Sequence, residues 1–227
     1  MIARRAHPEV VAEIERTGVV AVIRLSNASA GRDVANALAD GGVTALEVTM
    51  TVPNAVGLIE QLVATLPPTC LVGAGTVVDA STAREVIGAG AQFVVSPVLR
   101  PEVVAVCREY DAAVMPGCFT PTEILTAWEA GADFVKVFPA TSLGPTFIRD
   151  VRAPLPELKL VPTGGVTREN AGDWIRAGAA AIGVGTALVD AKAVADRRFS
   201  ELTERAQHFI RAVADARSSS SPVGARS

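Results

Sequence analysis

The chain has 227 residues, a length that suits one larger domain whose core needs neither disulfides nor a metal. Hydrophobic residues make up 49% of the sequence but aromatic residues only 4%, so the core must consist of small aliphatic side chains. The formal net charge is −3 and no basic-aromatic patch occurs, which argues against a nucleic-acid partner.

The termini and the cysteines indicate a cytoplasmic protein without a membrane span. The first residues lack the apolar core of a secretory signal, and no apolar stretch approaches the ~20 residues that a spanning helix needs. Cys70, Cys107 and Cys118 are odd in number and far apart, which is typical of a reducing compartment. We predict a single domain over residues 1–216 and a disordered, Ser-rich tail over residues 217–227.

Short Val- and Ile-rich runs alternate with longer amphipathic runs eight times along the chain. In chain order, the predicted strands are residues 19–24, 45–49, 71–75, 93–96, 112–115, 134–138, 158–162 and 180–184. Helices fill the gaps, for example residues 28–39, 54–66, 80–88, 101–108, 121–130 and 168–177. One extra helix is predicted at each end, over residues 8–17 and 200–216.

This alternation predicts a parallel sheet covered by helices, and eight such units match a (β/α)8 TIM barrel with extra terminal helices. The main alternative is a doubly wound open sheet. No predicted strand is followed by the G-x-G-x-x-G turn with which such a sheet often binds dinucleotides, so the sequence favours the barrel.

Lys136 is the charged residue that most clearly breaks the apolar pattern. It lies between two valines in Phe-Val-Lys-Val-Phe and is one of only three lysines among 21 basic residues. A charge inside a barrel strand is costly unless it is paired or used, and a free amine can attack a ketone whereas a guanidinium stays protonated. We interpret Lys136 as a Schiff-base nucleophile; the alternative is a structural lysine paired with a carboxylate.

Two further charges lie at or near strand ends, on the side of a barrel where active sites form. Glu47 shares a strand face with Ala45 and Thr49, and it either shuttles protons near Lys136 or merely forms an ion pair with it. Arg24 ends the first predicted strand and can clamp a substrate carboxylate through two hydrogen bonds. For Arg24 taken alone, an exposed arginine without a function is the slightly favoured alternative.

Glycine-bearing turns follow the last two predicted strands, in Pro-Thr-Gly-Gly-Val-Thr (162–167) and Ile-Gly-Val-Gly-Thr-Ala (182–187). In TIM barrels a phosphate often lies between these two loops, held by backbone N–H groups that glycine leaves accessible. The turns predict a phosphorylated ligand; the alternative is two ordinary strand-to-helix turns.

The histidines and Cys118 suggest no further chemistry. The only two histidines, His7 beside the first predicted terminal helix and His208 in the last, lie outside every motif, so a His-rich zinc site has no ligands to draw on and we expect no metal. Cys118 has no histidine nearby in the sequence, and we interpret it as a packing residue.

Six segments resemble the bacterial 2-keto-3-deoxy-6-phosphogluconate (KDPG) and 4-hydroxy-2-oxoglutarate (KHG) aldolases. The segments are Leu-Glu-Val-Thr (46–49), Val-Gly-Ala-Gly-Thr-Val (72–77), Gln-Phe-Val-Val-Ser-Pro (92–97), Val-Met-Pro-Gly (114–117), Phe-Val-Lys-Val-Phe-Pro-Ala (134–140) and Pro-Thr-Gly-Gly-Val (162–166). The resemblance runs from about residue 8 to residue 216, and the combination of the Lys strand, the Glu strand and the Gly-Thr-Val turn is highly specific.

The resemblance implies a homotrimeric class I aldolase that needs no metal or cofactor and cleaves KDPG to pyruvate and glyceraldehyde 3-phosphate. It puts the Schiff base on Lys136 and proton transfer, assisted by a bound water, on Glu47. Thr76 would bind the pyruvate carboxylate, and Phe138 would pack against the pyruvyl carbons. Thr163 would lie near the C4 hydroxyl, as in the gluconate-type enzymes. The residues implied for phosphate binding are Gly164, Gly165, Gly185 and Thr186.

One position departs from the family pattern. Better-known members carry an arginine at the position of Thr51, where it helps to hold the substrate carboxylate. We hypothesise that Arg24 supplies this cation from the neighbouring strand, and the substrate preference depends on that substitution.

Two other functions use the same residues. A phosphosugar epimerase or isomerase would use Glu47 and Lys136 as acid and base without a covalent adduct. A non-catalytic phosphometabolite sensor would need only the binding groups, and the Lys–Glu pair argues against it because a pure binder has no need of a nucleophile.

Overall fold

Strands and helices alternate over most of residues 5–220, the part of the chain that the computed structural model describes. The strands are β1 (Val19–Ile23), β2 (Ala45–Thr49), β3 (Leu71–Gly75), β4 (Phe93–Val95), β5 (Ala113–Met115), β6 (Gly117–Cys118), β7 (Val135–Val137), β8 (Leu160–Pro162) and β9 (Ile182–Val184). The helices are α1 (His7–Thr17), α2 (Gly31–Asp40), α3 (Ala55–Thr65), α4 (Ala80–Gly88), α5 (Pro101–Glu109), α6 (Pro121–Glu129), α7 (Pro145–Arg152), α8 (Ala171–Arg176), α9 (Ala191–Ala195) and α10 (Phe199–Ser220). Short 3-10 helices, Ala28–Ala30 and Ala140–Ser142, precede α2 and α7.

All strand pairs among these residues are parallel, and they form two sheets. One sheet has the order β5–β4–β3–β2–β1–β9 and the other β6–β7–β8. A parallel bridge between Thr163 and Gly183 connects the ends of β8 and β9. Only Pro116 separates β5 from β6, and its carbonyl accepts a hydrogen bond from the Lys136 amide at 2.9 Å. The result is an α/β fold with a curled parallel sheet.

The strands separate two apolar cores. The larger core lies between the strands and the surrounding helices and is rich in Val, Leu, Ile and Ala. The smaller core lies on the inner face of the strands, where Val10 and Ile14 of α1 pack with strand residues. Its strand and strand-flanking members are Val20, Ala45, Leu71, Phe93, Val95, Ala113, Met115, Phe134, Val161 and Ala181. A charged residue on this inner face is therefore surrounded by apolar side chains.

The predicted strands are all present, most of them one or two residues shorter at an end. Helix boundaries differ more. The predicted helix 168–177 begins only at Ala171, because the Asn170 side chain accepts from the Thr167 amide and donates to the Gly165 carbonyl. These two hydrogen bonds keep the preceding residues in a turn. The predicted helix 28–39 is divided into a 3-10 helix and α2.

The C-terminal helix corrects part of the predicted disordered tail. Helix α10 continues to Ser220, so residues 217–220 are helical rather than disordered. The Arg217 guanidinium donates hydrogen bonds to the carbonyls of Glu15, Arg16 and Ala180 at 2.6, 2.8 and 3.0 Å. Residues 221–227 of the predicted tail lie outside the described residues, as do residues 1–4.

None of the helices in residues 5–220 combines the length and the apolar character needed to cross a bilayer.

Candidate active site

Lys136 lies at the centre of β7 and points to the inner face of the sheet. Its partners in the ladder are Gly117 of β6 and Val161 of β8. Val161 belongs to the inner core, as does Phe134 two residues before the lysine, and strand side chains alternate between faces. Lys136 is only 6% exposed, so its amine lies in an apolar setting, as the strand pattern predicts.

Glu47 occupies the centre of β2 and is 2% exposed. Its partners in the ladder are Val22 of β1 and Gly73 of β3. Its Oε1 is buried and accepts no hydrogen bond from any described residue. Burial raises the pKa of the Glu47 carboxyl, while the positive charges of Lys136 and Arg24 act in the opposite direction. A carboxyl that binds its proton more readily than usual is suited to act as both acid and base.

Phe138 connects the lysine to an open cavity. The Lys136 Nζ lies 4.9 Å from the centre of the Phe138 ring, within the range of a cation–π contact. Phe138 also lines a cavity of about 400 Å³ on the side where the strands end. The predicted site residues that line this cavity are Arg24, Phe138, Thr163, Gly164, Gly165, Gly185 and Thr186. Seven of the ten predicted residues therefore meet in one space.

The glycines of the β8 turn adopt a conformation that suits glycine. Gly164 and Gly165 have φ values of 88° and 73°, in the left-handed region that other residues rarely adopt. The Asn170 side chain bonds to both ends of this turn, at the Gly165 carbonyl and the Thr167 amide. Sequence reasoning missed Asn170, although Asn before a helix is a recognisable turn-forming signal.

Arg24 is exposed at the cavity wall. Within residues 5–220 its guanidinium makes no hydrogen bond or ion pair, so its donors are available to a ligand. Its charge also acts on the Glu47 carboxyl. The position suits an anion-binding role, and an exposed arginine without a function, the alternative at this position, has the same exposure.

Thr76 and Thr51 follow β3 and β2 and do not line the cavity. Thr76 has φ of 63°, which is a strained conformation for a β-branched residue and occurs more often at functional sites. The Thr51 hydroxyl lies 2.7 Å from that of Thr49, whose Oγ1 is 3.3 Å from the Ile23 carbonyl. Thr51 therefore forms part of a hydroxyl pair beside the end of β1.

Two glycines that sequence reasoning did not assign make room for predicted site residues. A Cβ on Gly75 would overlap the Glu47 carboxylate, and a Cβ on Gly183 would overlap the Thr163 hydroxyl. Glycine inside a strand often marks such a close approach, and this signal was available in Gly-Ala-Gly-Thr and Ile-Gly-Val-Gly. Both glycines shape the site without providing a functional group.

No group of three or more His, Cys, Asp or Glu side chains within residues 5–220 is arranged to hold a metal ion. The site instead combines a buried amine, a buried carboxyl and two glycine-bearing turns that line the cavity. Such a set can form a covalent adduct with a carbonyl, move protons beside it and bind an anionic group at a distance from it.

A family model described as KDPG and KHG aldolase matches residues 10–205. The chain belongs to this aldolase family. It is 36% identical over 171 residues to a probable 2-dehydro-3-deoxy-6-phosphogalactonate aldolase of Rhizobium meliloti, covering 75% of this chain and 81% of the relative. It is 35% identical over 204 residues to the 2-dehydro-3-deoxy-phosphogluconate aldolase of Treponema pallidum, covering 88% and 95%.

A solved aldolase structure has the same fold. The KDPG aldolase of Legionella pneumophila, with pyruvate captured at low pH as a covalent carbinolamine intermediate, superposes with a TM-score of 0.81. It is 28% identical to this chain, and the match covers 88% of this chain and 97% of the Legionella protein.

Proposed function

We propose that this chain is a class I aldolase that cleaves KDPG to pyruvate and glyceraldehyde 3-phosphate through a Schiff base on Lys136. The observation that carries the proposal is a buried, inward-facing Lys136 coupled to a buried Glu47 in a chain of the KDPG and KHG aldolase family. The covalent adduct supplies the electron sink that the reaction needs, so the proposed chemistry requires no metal or organic cofactor.

The first half of the reaction forms the Schiff base. The neutral Lys136 Nζ adds to the C2 ketone, and its nitrogen loses a proton while the ketone oxygen gains one. Glu47 then donates a proton to the departing hydroxyl, water leaves, and the carbinolamine becomes an iminium ion. The raised pKa of the Glu47 carboxyl supports this role, because the carboxyl keeps its proton to a higher pH than an ordinary glutamate does.

The second half breaks the carbon–carbon bond. The ionised Glu47 accepts the proton of the C4 hydroxyl, and the C3–C4 bond breaks as the C4–O bond becomes a carbonyl. The released electron pair neutralises the iminium and gives an enamine. Glu47 returns the proton to C3, and hydrolysis of the resulting pyruvate iminium restores the Lys136 amine. One carboxyl can serve each step because its protonation state alternates.

We assign the pyruvate end of the substrate to Arg24, Thr76 and Phe138. Arg24 has unpaired donors at the cavity wall and would replace the arginine that the family has at Thr51. An Arg24→Ala variant should bind pyruvate at least several-fold more weakly, since a charged hydrogen bond contributes about 1.5–3 kcal/mol. Unchanged pyruvate affinity would refute this role. Phe138 would pack against the pyruvyl carbons, and Thr76 would donate to the carboxylate.

The far end of the substrate is assigned to the two glycine turns. Thr163 would contact the C4 hydroxyl, and threonine at this position favours the gluconate-type substrate over its galactonate-type epimer. Relatives of both types resemble the chain almost equally, so comparing cleavage rates of the two epimers is the direct test. The phosphate would lie between the turns, bound by Gly164, Gly165, Gly185 and Thr186.

We also propose a closed (β/α)8 barrel, in which β5 and β6 together form one strand, as the single domain of the chain. The bridge from Thr163 to Gly183 and the hydrogen bond from Lys136 to Pro116 support closure at the two sheet junctions.

A homotrimer is supported by the family resemblance and by Val78, Val98 and Phe119, which are 42%, 49% and 40% exposed. Light scattering of the purified protein tests the trimer. Cys70 and Cys118 are buried and form no disulfide among residues 5–220, which supports a cytoplasmic location.

Borohydride reduction in the presence of pyruvate tests the central proposal. An aldolase of this class gains a stable three-carbon adduct, and peptide mapping should locate it on Lys136. The comparisons favour neither the epimerase nor the sensor, and both would leave the lysine unmodified. Turnover of KDPG without any trapped adduct would therefore overturn the Schiff-base mechanism.

A further inference from the structure

We infer that Arg205 of α10 is a positioning residue that holds the turn after β9 in the shape needed to bind a phosphate group. Nothing in the sequence motifs singles out this arginine, because it lies in the C-terminal helix, 20 residues beyond Gly185. The inference rests on the proposed function of the turn and extends it to a residue outside the cavity.

The turn over residues 185–190 is compact, and two of its residues, Leu188 and Val189, are buried. The amides of Leu188 and Val189 both donate to the Gly185 carbonyl, at 2.9 and 2.8 Å. The Leu188 side chain is fully buried in the larger core. The same turn contributes Gly185, Thr186 and Ala187 to the cavity wall. The backbone of these last three residues must keep its orientation for its N–H groups to face a bound anion.

Arg205, which does not line the cavity, contacts this turn through two groups. Its Nη1 donates to the Ala187 carbonyl at 3.1 Å, and its Nη2 lies 4.0 Å from the Asp190 carboxylate. The other oxygen of Asp190 accepts from the Ala193 amide at 2.8 Å and so caps the start of α9. One guanidinium therefore spans the middle and the end of the turn, and the fork geometry of arginine suits two acceptors at once.

The Ala187 carbonyl is the contact that matters for phosphate binding. A peptide carbonyl and the N–H of the next residue lie in one rigid plane, so fixing this carbonyl restricts rotation of the adjoining peptide unit. The Ala187 carbonyl and the Leu188 N–H share one plane, which is held by Arg205 at the carbonyl and by the Gly185 carbonyl at the N–H. Rotation of the preceding peptide unit, which carries the Ala187 N–H, is restricted as a result. Without Arg205 the turn keeps its Gly185 hydrogen bonds and its Leu188 anchor, so we expect local loosening rather than unfolding.

The test compares Arg205→Ala with Arg205→Lys and with the matched control Arg211→Ala. Arg211 is exposed on the same helix and, within residues 5–220, makes no hydrogen bond or ion pair. Arg205→Ala should raise the KM for KDPG roughly three- to tenfold, the effect of one net hydrogen bond, with kcat within about twofold of wild type. Arg205→Lys retains a donor for the Ala187 carbonyl and should stay closer to wild type, and Arg211→Ala should match wild type.

Two readouts, one without phosphate and one with phosphate alone, separate positioning of the turn from a general loss of structure. The pyruvate concentration that half-saturates borohydride trapping involves no phosphate and should be unchanged in Arg205→Ala. Binding of inorganic phosphate, measured by calorimetry, should weaken by the same factor as the KM for KDPG. If Arg205→Ala had the wild-type KM for KDPG and the wild-type phosphate affinity, the inference would be overturned. It would also be overturned if pyruvate trapping weakened in this variant by the same factor as phosphate binding. If wild type formed no pyruvate adduct at all, the proposed function would fail, while phosphate calorimetry would still decide the role of Arg205.

Discussion

Gly75 makes room for the carboxylate of Glu47 on the neighbouring strand. A Cβ on Gly75 would lie 2.6 Å from Cγ of Glu47 and would overlap the carboxylate itself. The missing side chain therefore lets a charged residue stay buried on the inner face of the sheet, with Oε1 accepting no hydrogen bond from residues 5–220. The position of the proposed acid/base group depends on a neighbour that has no side chain.

Gly75→Ala should inactivate the enzyme by displacing Glu47. The added methyl group forces the carboxylate out of position, and losing a general acid/base typically costs a factor of about 10²–10⁴ in kcat. The matched control is Gly88→Ala, where a Cβ meets nothing within 4 Å and activity should be unchanged. Normal steady-state rates in Gly75→Ala would contradict this account.

Lys136→Arg should abolish turnover while keeping the fold. Arginine retains the positive charge and the contact with the Phe138 ring, but it cannot form a Schiff base. We expect kcat to fall by roughly a thousandfold or more, as for removal of other covalent nucleophiles, with no pyruvate adduct after borohydride treatment. Circular dichroism serves as the control for folding. A variant that kept even a tenth of the wild-type rate would point to acid/base chemistry without a covalent step.

Thr163→Val and Gly183→Ala should cause the same defect by different routes. The first removes the Thr163 hydroxyl, and the second displaces it, since a Cβ on Gly183 would lie 3.1 Å from both Cβ and Cγ2 of Thr163. Each should lower kcat/KM for KDPG by about tenfold, the value of one hydrogen bond. Pyruvate lacks the C4 hydroxyl, so trapping with pyruvate should be unaffected in both. Reduced trapping would mean that Thr163 acts at the pyruvate end instead.

Glu47→Gln should increase stability relative to wild type as the pH rises. Burial raises the pKa of the Glu47 carboxyl in the folded state, so folding favours the protonated form. Its contribution is fully present below the pKa of the unfolded chain, about 4.3, and is lost as the pH rises through the higher folded value. Glutamine does not ionise and avoids that loss. Denaturant unfolding from pH 4 to pH 8 should show a growing difference, and a pH-independent difference would contradict the shift.

Arg217→Ala should destabilise the protein although it lies far from the cavity. The variant removes three hydrogen bonds that connect α10 to the end of α1 and to Ala180. We expect the free energy of unfolding to fall by about 2 kcal/mol, because three carbonyls, two of them in partly buried hydrogen bonds, lose a charged donor. Arg211→Ala, an exposed site on the same helix, should change it by less than about 0.5 kcal/mol. Equal effects of the two substitutions would show that the Arg217 contacts contribute nothing.

Strand positions and the inward direction of Lys136 could be predicted because both depend on local patterns. A strand alternates its side chains between two faces, so Phe134 and Lys136 must share one, and the apolar composition around them requires burial. The motifs around Glu47 and Lys136 likewise indicated the aldolase family, which the family match over residues 10–205 confirms. Periodicity and short motifs are properties of neighbouring residues and can be read from the sequence alone.

Other features depend on contacts between distant segments, and local patterns carry no information about them. Serine-rich composition predicted disorder from residue 217, but three carbonyls from α1 and from the residues before β9 bind Arg217 and keep the helix intact. The roles of Gly75 and Gly183 likewise follow from neighbouring segments of the sheet, because the side chains of Glu47 and Thr163 lie over these two glycines. The sequence by itself determined the alternating strands and helices, the buried lysine and the family. Only the tertiary structure decided which cavity the turns share and which distant residues hold them, because those interactions form only once the chain has folded.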